Sequence, residues 1–309
     1  MTDTRIFQID KNNGNTYELK SSSAALEKEL QTLIEKNLDT LLSISFLESE
    51  YSTGKKHRGR IDTLGIDENG CPVIIEYKRS VKENVINQGL FYLDWLMDHK
   101  AEFELLVLKK LGKETADNIE WGNPRLVCIA GDFTRYDEHA VQQMNRNIEL
   151  VRYRYYEQSL LLLELVNSVE VIDTTGNGFD NTNRTKKTSS SKTFSEYLSQ
   201  CDAETQNLYN DLKVFIESLG DDVQVKILKH YIAFKRLKNF ACVEVHPQTR
   251  SILVYVKINP NDFPVEQEGF TRDVRNIGHY GTGDLEIRIH SHDDLSKAEE
   301  LIQKSYDLS

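Results

Sequence analysis

The sequence predicts an α/β sandwich built on a mixed sheet, followed by a smaller α+β domain with an antiparallel sheet. Three observations predict it. Over the first part of the chain, segments read as helix, three strands, helix, strand, helix, strands. A stretch with almost no apolar content, Thr174 to Thr193, then interrupts the pattern. Beyond it come a helix, four strands and a closing helix. The boundaries that follow are residues 1–173, a flexible basic linker over 174–193, and residues 194–309.

Each element has a local reason. Ala24 to Leu42 carries Leu26, Leu30, Leu33, Ile34, Leu38 and Leu41 at helical spacing. Strand-like segments follow at Phe46 to Tyr51, Gly59 to Ile66 and Pro72 to Arg79. A long helix is expected from about Lys82 to Leu111, broken near Lys100. Arg125 to Ala130 is a short apolar run between Pro124 and Gly131, which suits a buried strand. Tyr136 to Asn147 reads as helix, and Ile148 to Tyr156 with Ser159 to Val166 as a closing strand pair. The stretch 174–193 cannot bury enough surface to offset ordering. It is also the one clearly basic stretch, with Arg184, Lys186, Lys187 and Lys192 against Asp180, and reads as a solvated tether rather than a DNA-contacting arm. After it, Glu204 to Leu219 and Leu295 to Tyr306 read as helices. Tyr231 to Phe234, Phe240 to His246, Ser251 to Ile258 and Leu285 to His290 read as strands.

Composition narrows the class. Hydrophobic residues make up 39% and charged residues 28%, the balance of a globular chain. The longest apolar run, Leu160 to Val166, is too short to span a bilayer, and the polar N-terminus shows no secretory signal. Cys71, Cys128, Cys201 and Cys242 form no Cys-x-x-Cys pair, so they read as reduced thiols of a cytoplasmic protein. A net charge of −11 excludes a wholly basic nucleic-acid coat, but allows a local positive patch around a phosphate track. No Ser-His or Cys-His arrangement stands at readable spacing.

Chemistry concentrates on two strands. Asp62, Glu76 and Lys78 interrupt otherwise apolar segments, Arg60-Ile61-Asp62 and Val73 to Lys78. Such charges are costly unless compensated, and a divalent metal is the obvious compensation. Glu76 and Lys78 share a face because strand residues two apart do. A two-residue Asn69-Gly70 loop would set Asp62 opposite Tyr77. A three-residue loop, Glu68 to Gly70, sets it opposite Glu76, with Gly70 at the left-handed position of a G1 bulge. The three-residue loop is the one expected. At 100° per residue, the apolar stripe of Ala24 to Leu42 centres near Ile34 and Leu41. Glu27 falls inside that stripe while Glu29 and Glu35 fall outside. Glu27 is then either an ion-pair partner of Arg60 or Lys78, or an outer acid of a metal site. Gln88 lies just off the apolar face of the next helix. Arg60 and Arg79 flank the carboxylates and could hold a phosphate or balance charge, and Glu50 and Tyr51 could extend the polar surface.

Glu27, Gly59-Arg60-Ile61-Asp62, Glu76-Tyr77-Lys78 and Gln88 together resemble the PD-(D/E)xK nuclease superfamily. Over residues 20 to 170 the pattern is most similar to the catalytic domain of an archaeal and actinobacterial mismatch-cleaving endonuclease family. Ile61 stands where the superfamily name places Pro. The DNA-binding N-terminal domain of those enzymes has no counterpart, so their mismatch preference does not carry over. The resemblance implies a restriction-endonuclease-like fold and a metal-dependent endonuclease acting on DNA. It implies Asp62, Glu76 and the Tyr77 main-chain carbonyl as ligands of Mg²⁺ or Mn²⁺, and Glu27 holding a water of that metal. It further implies Lys78 orienting or deprotonating the attacking water, and Gln88 positioning Lys78 or the phosphate. Arg60 and Arg79 would be nucleic-acid contacts. Cutting both strands with one site per chain would favour a homodimer. The alternative is a non-catalytic nucleic-acid-binding or protein-interaction module on the same fold.

The second domain resembles an uncharacterised C-terminal domain often joined to such nuclease folds. Its distinctive stretches are Lys235-Arg236 with Phe234 and Phe240, and Gly278-His279-Tyr280-Gly281-Thr282-Gly283. The first reads as aromatic core with snorkelling basic side chains, in preference to a stacking strand for single-stranded nucleic acid. The second lacks the Lys-Ser/Thr of a P-loop, so its glycines are expected to shape a tight loop against the sheet.

Overall fold

A computed structural model describes residues 4–22, 27–54, 59–78, 85–157, 159–169, 193–262 and 269–309. The chain divides into two units, residues 1–171 and 172–309. Of the stretch 174–193, only Thr193 lies among the described residues, and it caps a helix: its hydroxyl accepts from the Glu196 N–H. Arg79 lies outside them.

In the first unit, β1 (Ile6–Ile9) and β2 (Thr16–Leu19) form a separate hairpin that the pattern reading did not find. The main sheet joins β3 (Ser21–Ser22), β4 (Ile44–Ser52), β5 (Arg60–Asp67), β6 (Pro72–Lys78), β7 (Arg125–Ala130), β8 (Asn147–Tyr156) and β9 (Leu160–Val169). Its order is β3-β8-β7-β6-β5-β4, with β9 also on β8. β6, β7 and β8 run parallel and their neighbours antiparallel, so the sheet is mixed, as expected.

The expected first helix is two pieces, α1 (Glu27–Lys36) and α2 (Leu38–Leu42), broken at Asn37. The expected long helix is α3 (Val85–Asp98) and α4 (Lys100–Leu111), divided at His99. α5 (Lys113–Asp117) follows, and α6 (Arg135–Gln142) stops five residues short of the expected end because Asn147 already pairs in β8. α3 packs on Leu64, Ile74, Leu126 and Cys128, the alternate residues of one sheet face. α1 meets the other face, where Glu35 bonds Thr63, and Thr63 bonds Tyr77. This mixed sheet flanked by helices is the α/β architecture the sequence led us to expect.

The second unit contains α7 (Phe194–Gln200), α8 (Ala203–Glu217) and α9 (His292–Asp307). Its strands are β10 (Gln224–Ile227), β11 (Ile232–Lys235), β12 (Asn239–His246), β13 (Ser251–Val256), β14 (Thr271–Asp273) and β15 (Leu285–Ile289). The sheet, ordered β10-β11-β12-β13-β15-β14, is antiparallel throughout. Leu212, Ile216, Phe234, Val243, Val254, Ile287 and Ile302 close the core between one sheet face and the helices. α7, β10 and β14 escaped the pattern reading, because three to seven residues hold too few periods to register.

Candidate functional site

The register of the β5–β6 hairpin decides whether the two carboxylates meet. Thr63 pairs with Ile75, Leu64 with Ile74, Gly65 with Val73 and Ile66 with Pro72. Counting on to Asp67 and Cys71 leaves a three-residue loop. The Asp67 N–H donates to the Cys71 carbonyl and the Gly70 N–H to the Asp67 carbonyl, both at 2.9 Å. Gly70 takes φ +78°, where a Cβ would also come within 2.9 Å of the Asn118 carbonyl oxygen. Asp67 anchors the turn: one oxygen accepts from the N–H groups of Asn69 (2.9 Å) and Cys71 (2.8 Å), the other from Arg125 (2.7 Å). Arg125 grips Glu149 through two further bonds of 2.8 Å. Flanked by these two carboxylates, the buried Arg125 guanidinium has its pKa raised despite its loss of solvent.

Past Thr63–Ile75 the two strands part. β5 runs on to Arg60 against β4, and β6 runs on to Lys78 against β7. Side chains fill the gap. The Asp62 N–H donates to Glu76 Oε1 (3.1 Å), and the Tyr77 N–H donates to Asp62 Oδ2 (3.1 Å). The expected meeting of Asp62 and Glu76 is therefore present, although within the gap rather than as a regular cross-strand pair.

Its electrostatics are unusual. Glu76 is fully buried, and its Oε2 has no hydrogen-bond partner among the described residues. Loss of solvent, and then the neighbouring Asp62 charge, push its pKa up to about 9. Burial likewise raises the Asp62 pKa. Lys78 Nζ donates to Glu27 Oε1 at 3.3 Å, joining the end of β6 to the start of α1. The ion-pair alternative for Glu27 is thus the arrangement seen.

Gln88 Nε2 donates to the Tyr92 hydroxyl (3.4 Å), which also accepts the Arg60 N–H (3.1 Å), and not to Lys78. Of the two roles open to Arg60, charge balance is the arrangement seen: it forms an ion pair with Glu50, which also accepts from Lys28 at 2.8 Å. Lys28 and Arg60 hold the Glu50 pKa below its usual value, the Lys28 hydrogen bond contributing most. Tyr51 leans on Trp95, ring centroids 5.6 Å apart, instead of extending a polar surface.

The apolar stripe of α1 is also rotated from the expected phase. Leu30, Gln31 and Ile34 are its buried residues. The break at Asn37 removes Leu41 from the phasing, which is why a stripe drawn through Leu41 missed Gln31 and put Glu35 outside. Gln31 Nε2 donates to the Asp62 carbonyl (2.8 Å), Glu35 Oε1 (2.9 Å) and Ser49 Oγ (3.2 Å). A second unread signal is compositional: Lys55, Lys56, His57 and Arg58 lie between β4 and β5 in sequence, though outside the described residues.

Among the described residues, no group of three or more His, Cys, Asp or Glu side chains could hold a metal ion. The donor set in question is therefore two carboxylates and a main-chain carbonyl. Magnesium suits so sparse a set, since it keeps several waters and needs only one or two protein carboxylates. The partnerless Glu76 oxygen leaves one acceptor of that donor set open.

In the second unit, Phe234 and Phe240 are fully buried as the aromatic-core reading expects, but Lys235 does not snorkel to the surface: it is buried as well. Arg236 lies over the Tyr306 ring at 4.7 Å and bonds Asp222 at 2.6 Å. The glycine-rich segment covers the outer sheet face as expected. A Cβ on Gly281 would stand 2.6 Å from that of Cys242, and the Thr282 N–H donates to Cys242 Sγ at 3.3 Å. His279 stacks on Tyr255 and Tyr280 on His230 to hold the loop there. Among the described residues, no helix is long and apolar enough to cross a membrane.

Residues 194–309 match the family model of a domain of unknown function, DUF5655. The chain is similar to an uncharacterized protein of Haemophilus influenzae, 29% identical over 306 residues that span 97% of this chain and 99% of the relative. Among solved structures it is similar to a repair endonuclease from Pyrococcus abyssi, at TM-score 0.27 and 20% identity, over 42% of this chain and 48% of that one. It is also similar to EndoMS in a complex with double-stranded DNA, at TM-score 0.25 and 18% identity, over 42% and 47%. The chain spans about half the length of either structure.

Proposed function

We propose that this protein is a metal-dependent endonuclease hydrolysing phosphodiester bonds of DNA at the gap between β5 and β6. The observation that carries the reading is the buried Glu76 oxygen without a partner, set beside Asp62 in a gap where the two strands part. The reading rests on residues of this chain and not on the distant structural similarities. Asp62, Glu76 and the Tyr77 carbonyl would hold Mg²⁺ or Mn²⁺. When bound, such an ion supplies Lewis acidity toward a phosphoryl oxygen.

The protein's own groups supply the rest. The Lys78 ammonium would donate hydrogen bonds to the attacking water and offset negative charge developing in the transition state. Glu27, bonded to Lys78 at 3.3 Å, would keep that ammonium aimed. Asp62 and Glu76, both biased toward the protonated form while the chain is free of metal, become full anions when a cation is present.

The test is cleavage of duplex, flap, mismatched and single-stranded DNA and of RNA by wild type, Asp62→Ala and Lys78→Ala, with Mg²⁺, Mn²⁺ or EDTA. Metal-dependent products from wild type are expected, and Lys78→Ala should lose at least about a hundredfold in rate, the scale of one positioned charge at a transition state. Equal products from wild type and Lys78→Ala would reject the reading. Nucleic-acid binding unaffected by either substitution, without cleavage, would instead support a non-catalytic module.

A further inference from the structure

We infer that Gln31 and Glu35 of α1 are positioning residues that set the width of the β5–β6 gap, and through it the capacity of Asp62 and Glu76 to hold a divalent cation. The inference rests on the metal-site reading above and extends it to residues with no part in it so far.

Gln31 is almost fully buried on a helix face where an apolar residue would be ordinary. Its amide is fully used. Oε1 accepts from Lys28 Nζ at 3.0 Å, and Nε2 reaches the Asp62 carbonyl, Ser49 Oγ and Glu35 Oε1. Glu35 Oε1 also accepts from Thr63 Oγ1 at 2.6 Å, and with that proton committed Thr63 Oγ1 accepts from the Tyr77 hydroxyl 3.3 Å away. One side chain of α1 thus holds the β5 backbone at Asp62. The other, through Thr63, holds Tyr77, the β6 residue whose N–H meets Asp62 across the same gap.

A buried polar network is justified only when every member is satisfied, and apolar packing would do the structural task at lower cost. The network stands where β5 and β6 lose their mutual ladder. With no ladder pairs there among the described residues, only the two carboxylates bridge the strands. A cation would draw their oxygens away from those N–H groups, leaving the separation to the α1 network. Metal sites depend on such outer partners, whose loss weakens affinity roughly 10–100-fold.

The experiment compares Mn²⁺ titrations of wild type, Glu76→Ala, Gln31→Met and Thr63→Val by calorimetry, with folding checked by circular dichroism and thermal unfolding. Amide hydrogen exchange at Asp62 and Tyr77 is followed in EDTA. Gln31→Met preserves volume and Thr63→Val preserves shape, so one of the two keeps the question open if the other fails to fold. The expected result is a folded Gln31→Met chain with Mn²⁺ affinity about tenfold weaker or worse, faster exchange at Tyr77, and kcat reduced more than KM is raised. Thr63→Val should show the same changes, smaller. Mn²⁺ affinity equal to wild type in folded variants, with Glu76→Ala alone losing it, would overturn this inference and leave the metal site standing. If wild type and Glu76→Ala bind Mn²⁺ alike, the metal site and this inference fall together.

Discussion

At the scale of the residue, Glu76 ties burial to chemistry. A carboxyl with a pKa near 9 in the folded, metal-free chain binds a proton that the unfolded chain, at about 4.5, releases. Between those values the folded state holds more protons than the unfolded one. Stability contributed by this group is therefore complete below about pH 4.5 and is lost as pH rises through about 9. Asp62, shifted in the same direction, adds to the trend. In EDTA, the thermal midpoint of the wild type should fall by roughly 5–15 °C between pH 6 and pH 9, on the usual conversion of stability to midpoint. Glu76→Gln, which cannot ionise, should flatten most of that fall. With saturating Mg²⁺ the wild-type slope should shrink as well, because a bound cation favours the anionic carboxylate. A wild-type midpoint indifferent to pH over this range would show that Glu76 ionises like an exposed carboxylate.

At the scale of the element, the hairpin is where sequence reasoning reached furthest. Side-chain period and loop length together fix which residues face each other, and Gly70 left one loop length that brought Asp62 to Glu76. The sequence could not show that both strands abandon each other just there, because the parting depends on which strands lie on either side. Nor could it show Gln31, whose burial depends on the break at Asn37 shifting the helix phase. Glutamine on a helix ordinarily faces water, and only the register of α1 against β5 turns this one inward. Gly70 itself can be tested. Gly70→Ala forces a side chain into φ +78° and against the Asn118 carbonyl, so it should cost roughly 1–3 kcal/mol, read as a lower urea midpoint at unchanged m-value. The register should survive, since the Asp67–Arg125–Glu149 triad pins the turn independently. An unchanged urea midpoint would mean that the turn is not held in this conformation.

At the scale of the whole molecule, charge limits how the protein can meet DNA. A chain of net charge −11 is repelled by a polyanion at a distance, so contact has to be local. Near the gap, the described cations are Lys28, Arg60 and Lys78, each already facing a carboxylate of the chain. Each therefore exchanges one anion for another on binding, which lowers the net gain while leaving counterion release to be measured. With roughly three to five phosphates neutralised, the logarithm of the association constant should fall with that of salt at a slope of about −3 to −4.5. From 50 to 200 mM salt, that slope corresponds to a loss of about a hundredfold. The measurement is fluorescence anisotropy on a short duplex, with Lys78→Ala bound but uncut. Arg60→Ala should weaken binding and reduce the slope by about one unit. A slope steeper than about −8 would overturn this estimate, requiring a basic track far larger than these three side chains, drawn from the Lys55-Lys56-His57-Arg58 stretch or from elsewhere in the chain.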